Sequence, residues 1–180
     1  MSWYKKAAKK ITCKGWTAVR MDANTSKKIQ QWGKDNIPAE ELNDGGDYGG
    51  GRETDTHITI LYGICTKNRD AVRSILEEEK PITATLEKVG CFVNNDDFDV
   101  VIVKVSSPDL ERLNNKIADE LHVEKTHGEY KAHATIAYVK KGNARKHAGD
   151  TVFQGEKIIF NKAVFKDGES EEETIISFKG

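Results

Sequence analysis

His57-Ile58-Thr59-Ile60-Leu61-Tyr62 and His133-Ala134-Thr135-Ile136-Ala137-Tyr138 are two copies of one pattern, His-x-Thr-x-x-Tyr, each set in an apolar run. Side chains on a β-strand alternate between its faces, so each histidine and the threonine two positions later point the same way. Two such strands side by side present two imidazoles and two hydroxyls to one cleft. The tyrosine at the same offset in both copies makes the repeat more specific than a meeting of histidine with threonine alone. In an ideal strand the odd spacing from each threonine to its tyrosine turns Tyr62 and Tyr138 to the opposite face. They are expected as core or strand-end residues first and as substrate-binding platforms second.

The segments around the motifs repeat in order. Residues 16–21 read as a short strand, and Asn24-Thr25-Ser26 offers caps for a helix that places Ile29 and Trp32 on one face. Residues 43–55, rich in glycine, form a flexible loop leading into the first motif strand at 56–63. A helix over 68–79 turns Ala71, Val72, Ile75 and Leu76 inward and stops before Pro81. Strands at 82–93 and 99–105 are joined by the turn Asn94-Asn95-Asp96-Asp97. Ser107 caps a helix that has Pro108 at its first position and buries Leu110, Leu113, Ile117 and Leu121. The second motif strand spans 132–139, a basic stretch covers 140–147, and three strands at 152–160, 162–165 and 174–178 close the chain. Strand, helix and motif strand thus occur twice. This predicts an α+β fold, bilobal, with pseudo-twofold duplicated lobes and largely antiparallel sheets around a central cleft. The 180 residues form a single domain with a basic N-terminal arm at 1–14.

Charged residues make up 32% of the chain, yet the formal net charge is −1, which argues against a dedicated binder of long duplex nucleic acid. A small anion needs only a local positive patch. Cys13, Cys65 and Cys91 are widely spaced and odd in number, so reduced thiols in a cytoplasmic setting are expected. No apolar run is long enough to span a membrane, and no membrane partner is expected.

Histidine gives or takes a proton near neutral pH, its unperturbed pKa being about 6.5. With two of them at one phosphodiester, one removes a proton from a ribose 2′-hydroxyl or water, and the other protonates the departing ribose oxygen. Thr59 and Thr135 hold the non-bridging oxygens in line. This chemistry calls for no metal and no cofactor. Trp16, Tyr48 and Phe92 are candidates for stacking a nucleobase, and Lys131 and Arg145, with Lys140 and Lys146, for meeting substrate phosphates. His122, His127 and His147 lack the threonine partner. His122 and His127 are given no catalytic role, and His147 only a weak chance of touching substrate.

The paired motifs, each on a strand after a helix, resemble the 2H phosphoesterase superfamily, which includes 2′-5′ RNA ligase-like proteins and cyclic phosphodiesterases. The resemblance covers residues 15–178. It implies that His57 and His133 are the catalytic pair and that Thr59 and Thr135 bind the scissile phosphate. The bacterial ligase-like branch tends to end its second motif with arginine, where this chain has Tyr138. The run Gly51-Arg52-Glu53 ahead of the first motif, with the two motifs themselves, is more similar to small phage-encoded members that degrade cyclic oligonucleotides to blunt host immunity (anti-CBASS nucleases). The resemblance therefore implies a small cyclic or linear oligonucleotide substrate, met in the host cytoplasm if the protein is phage-encoded. Opening of RNA 2′,3′-cyclic phosphates and a non-catalytic cyclic-nucleotide sponge stand as alternatives.

Overall fold

A computed structural model describes residues 12–45, 50–124 and 128–180. The N-terminal arm up to residue 11, Tyr48 and His127 lie outside the described residues.

The elements run β1 (Gly15–Arg20), α1 (Ala23–Asn36), β2 (Gly51–Arg52), β3 (His57–Ile64), α2 (Arg69–Leu76), β4 (Ile82–Phe92), β5 (Phe98–Ser106), α3 (Pro108–Glu120), β6 (His133–Lys140), β7 (Lys157–Phe160), β8 (Lys162–Lys166) and β9 (Thr174–Ser177). The strands make one antiparallel sheet in the order β7-β4-β5-β6-β3-β1-β8-β9, with β2 also paired to β6. The two motif strands are its central neighbours. A pseudo-dyad between them relates β3 to β6, β1 to β5, β8 to β4 and β9 to β7, so the duplicated halves are continuous halves of one curled sheet.

The helices fasten those halves together. Gly33 in α1 lies so close to β6 that a Cβ there would sit 2.8 Å from Ile136 Cγ2. In the other direction, Asn114 of α3 donates its side-chain amide to the Ile60 carbonyl of β3 at 2.7 Å. Each half's helix thus lies under the other half's motif strand. Ile29, Leu110, Leu113 and Ile117 pack with Ile58, Ile60, Ala134 and Ile136 in one buried core on this face of the sheet.

Helix starts follow their capping chemistry. Ser107 accepts from Leu110 N at 3.2 Å and donates to the Thr83 carbonyl at 2.7 Å, joining the α3 cap to β4. For α1 the cap is Asp22, not the Asn24-Thr25-Ser26 run: its carboxylate accepts from the backbone of Asn24 and Thr25, each at 3.0 Å. A carboxylate at a helix N-terminus also meets the positive end of the helix dipole, which a neutral cap exploits less.

Two further expectations change. Residues 51–52 are strand, not loop, because Gly51 and Arg52 pair with Tyr138 and Ala137. Cys13 and Cys65 are not reduced thiols but a disulfide. Antiparallel pairing of Gly15 with Ile64 brings the chain just before β1 beside the chain just after β3, a proximity that sequence spacing alone does not reveal. Cys91 remains a free thiol. Among the described residues no helix is long and apolar enough to cross a membrane.

Candidate active site

The two motif strands join through the pair Ile58–Ala134, both fully buried. One residue to either side, His57, Thr59, His133 and Thr135 therefore face the open side of the sheet, and all four are half-buried. Carried one residue each way, the register sets His57 beside Thr135 and Thr59 beside His133. Opposed residues of an antiparallel pair stand about 4.5–5.5 Å apart at Cα, and same-face neighbours along a strand about 6.5–7 Å. The result is a rectangle with an imidazole at each of two diagonal corners and a hydroxyl at each of the others. Ala18, across from Thr59 on β1, and Ile102, across from Thr135 on β5, are buried on this same face and floor the cleft.

Both imidazoles are held in the same way. His57 Nδ1 meets the Asp55 carbonyl at 2.6 Å, and His133 Nδ1 meets the Lys131 carbonyl at 2.7 Å. A carbonyl only accepts, so Nδ1 carries the proton in each ring and Nε2 is the nitrogen turned to chemistry. Asp55 is held in turn by Arg20, which pairs with His57 across the ladder. Its Nε donates to the Asp55 carboxylate at 3.0 and 3.1 Å, while its two Nη atoms each donate to Glu173 at 2.7 Å. The Tyr130 hydroxyl donates to the Thr59 carbonyl at 2.9 Å, and burial pushes that phenol's pKa well above its ordinary value.

The tyrosines overturn the ideal-strand expectation. On β3, Ala18 pairs with Thr59 but Thr17 pairs with Leu61, so Ile60 is an extra residue. On β6, Ile102 pairs with Thr135 but Val101 pairs with Ala137, so Ile136 is extra. A bulge after each threonine reverses the alternation and brings Tyr62 and Tyr138 to the same face as the histidines. Tyr138 reaches the Thr135 hydroxyl, and its pKa is raised by burial and by the nearby Glu53 carboxylate. Tyr62, 38% exposed, stands beside Trp16 at the rim.

Of the other candidates, Trp16 lies with its ring centroid 5.9 Å from that of His57, the planes 30° apart. Phe92 stands edge-on to His133 at 4.7 Å and 88°. Lys131 shares a cavity wall with Phe92 beside His133. Arg145 follows Ala144, buried in the core, on the crossover that leads to β7. His147 and Lys146 both bind Glu41, His147 Nε2 at 2.7 Å. Arg52 donates to the Gly33 and Ile37 carbonyls at the end of α1, a structural duty. Lys104, which sequence reading passed over, pairs with His133 across the β5–β6 ladder. No motif marks it, and only the register finds it.

The sequence model of the 2′-5′ RNA ligase superfamily matches residues 24–157. No curated protein matches the sequence. Among solved structures, the chain resembles the protein TT0787 of Thermus thermophilus at 13% identity and TM-score 0.62, covering 91% of this chain and 94% of that one. Usb1 of Kluyveromyces marxianus aligns at 12% identity and TM-score 0.60, covering 91% and 97%. Apo E. coli LigT aligns at 15% identity and TM-score 0.54, covering 93% and 95%. LigT has also been solved with 3′-AMP and with ATP, and the Kluyveromyces Usb1 with uridine monophosphate.

Proposed function

The chain belongs to the 2′-5′ RNA ligase superfamily, and on that premise we propose that it is a metal-independent phosphodiesterase. Its substrates are small cyclic oligonucleotides, cleaved at 3′-5′ or 2′-5′ bonds, and its setting is phage evasion of host immunity. The observation that carries the reaction class is the matched pair of Nδ1–carbonyl contacts at His57 and His133. They give two rings of one tautomer, diagonally placed around a spot that two threonine hydroxyls also face. One Nε2 accepts the proton of a water or a ribose 2′-hydroxyl, whose oxygen attacks phosphorus. The P–O bond to the leaving ribose breaks, and the other imidazole, protonated beforehand, gives its proton to the departing oxygen. Thr59 and Thr135 donate to the non-bridging oxygens.

The cyclic substrate is supported by the likeness of the two motifs to small phage-encoded relatives. A second reading is opening of RNA 2′,3′-cyclic phosphates, which the mononucleotides bound by LigT and Usb1 favour.

The test is incubation in EDTA with cyclic di- and trinucleotides, linear 2′-5′ oligoadenylate and an RNA ending in a 2′,3′-cyclic phosphate, with products resolved by mass. His57→Ala and His133→Ala run in parallel. Cleavage of cyclic oligonucleotides, reduced by about 10²-fold or more in either variant, is the expected result. Turnover of the RNA end alone selects the second reading. Abolition by EDTA sinks the metal-independent mechanism, and tight binding without turnover makes the protein a sponge.

A further inference from the structure

The pseudo-dyad sets one cation beside each catalytic histidine: Arg20 pairs with His57, and Lys104 with His133. Their fates differ. Arg20 is consumed by Asp55 and Glu173, whereas Lys104 forms no ion pair among the described residues. Its aliphatic stem lies across Gly90, where a Cβ would come 2.6 Å from Lys104 Cε. The glycine leaves the stem room to lie along the sheet, on the side of the open face that borders a cavity of about 420 Å³. Phe92, Lys104, Tyr130 and Lys131 line that cavity, the first of them in edge contact with the His133 ring. Glu87 and Glu111 border it too, and among the described residues neither forms an ion pair with a lysine. A volume of this order suits a nucleotide unit, and an ammonium that holds no carboxylate is ready for an anion.

From this asymmetry we infer that Lys104, with Lys131 and Phe92, forms a subsite for a second phosphate, one nucleotide away from the scissile one, on the His133 flank alone. Phe92 gives the attached nucleoside an apolar wall, and Lys104 neutralises its phosphate. The subsite rests on the phosphodiesterase reading and adds a substrate class: molecules with at least two phosphates, linear or cyclic, in preference to a nucleoside cyclic monophosphate. It also gives an otherwise twofold site a polarity, because only one flank recognises the second phosphate.

The inference is tested by calorimetry on full-length protein carrying His57→Ala, to prevent turnover, with the dinucleotides ApA, pApA and ApAp. One of the phosphorylated forms is expected to bind about tenfold tighter than ApA, the return of one charge-assisted hydrogen bond. Adding Lys104→Met should abolish the preference, while Lys104→Arg should retain most of it. Equal melting temperatures for the Met and Arg variants separate lost binding from lost structure. Equal binding of all three dinucleotides, or a preference that survives Lys104→Met, overturns the subsite. Turnover by the unmutated protein is scored separately. Cleavage without phosphate preference keeps the phosphodiesterase and removes the subsite, and preference without cleavage does the reverse.

Discussion

At the residue scale, each imidazole is oriented by a backbone carbonyl two residues before it. A carbonyl fixes the tautomer without itself carrying a formal charge, so both rings are held in the same way. At the second motif the Thr135 hydroxyl is reached by Tyr138. Tyr138→Phe removes that phenol with almost no change in volume. Steady-state kinetics should show a several-fold fall in kcat/KM, corresponding to about 1 kcal/mol for one hydrogen bond, with little change in melting temperature. A fall as large as that of His133→Ala would instead make the phenol a proton donor. The histidine–threonine pairs were legible in the sequence because alternation over two residues survives almost any local distortion. The tyrosines were not, because a single inserted residue, Ile60 or Ile136, inverts the face, and nothing in His-x-Thr-x-x-Tyr marks a bulge. Lys104 and the Cys13–Cys65 disulfide were hidden for another reason: both depend on which strand lies beside which.

At the element scale, the bulges work together with the strand neighbours. β3 and β6 share their ladder at Ile58–Ala134, and beyond that point the Tyr130 hydroxyl and the Asn114 amide take the carbonyls of Thr59 and Ile60. Both of those bulge carbonyls on the β3 side therefore have partners. One polar atom nearby differs. Thr17, paired with Leu61 and Phe165, is fully buried, and its hydroxyl has no hydrogen-bond partner among the described residues. Thr17→Val replaces that hydroxyl with a methyl group of similar size. It should stabilise the fold by about 1 kcal/mol, read as a rise of roughly 2–4 °C in melting temperature. A fall would mean that a water or a proton acceptor serves Thr17 in solution. Capping and periodicity located α1, α2, α3 and both motif strands, although the α1 cap lies at Asp22, ahead of the expected run. The shortest elements escaped, since β2 exists only because β6 offers it an edge.

For the whole molecule, buried and half-buried carboxylates, Asp99, Glu79 and Glu173 among them, tie distant parts together. Burial alone would raise the Asp99 carboxyl, but Lys141 at 3.0 Å and the Gly142 amide at 2.8 Å hold it below its usual range. Glu79 is likewise penalised by burial, then held low by Arg112 and Lys116, and Glu173 is held low by Arg20. A carboxylate with a depressed folded-state pKa stabilises the native form above its unfolded pKa and loses that contribution as pH falls through the folded value. With unfolded values of about 3.9 for Asp and 4.3 for Glu, melting temperature should be level above about pH 5 and drop below about pH 4. Asp99→Asn should make that drop shallower while costing roughly 1–3 kcal/mol at neutral pH, and chemical denaturation at pH 3 and pH 7 measures both. An unchanged acid slope would remove Asp99 from the account.

The crossed placement of the helices has a consequence for synthesis. A ribosome completes β3, with His57, long before it reaches Asn114, the residue in α3 that closes the Ile60 carbonyl. The nascent first half therefore emerges with one motif complete and the underside of its strand uncovered. Meanwhile α1 waits for Ile136 to fill the surface that Gly33 leaves open. The first motif strand lacks these packing partners until α3 and β6 have been translated, so the two motif strands are expected to become ordered together.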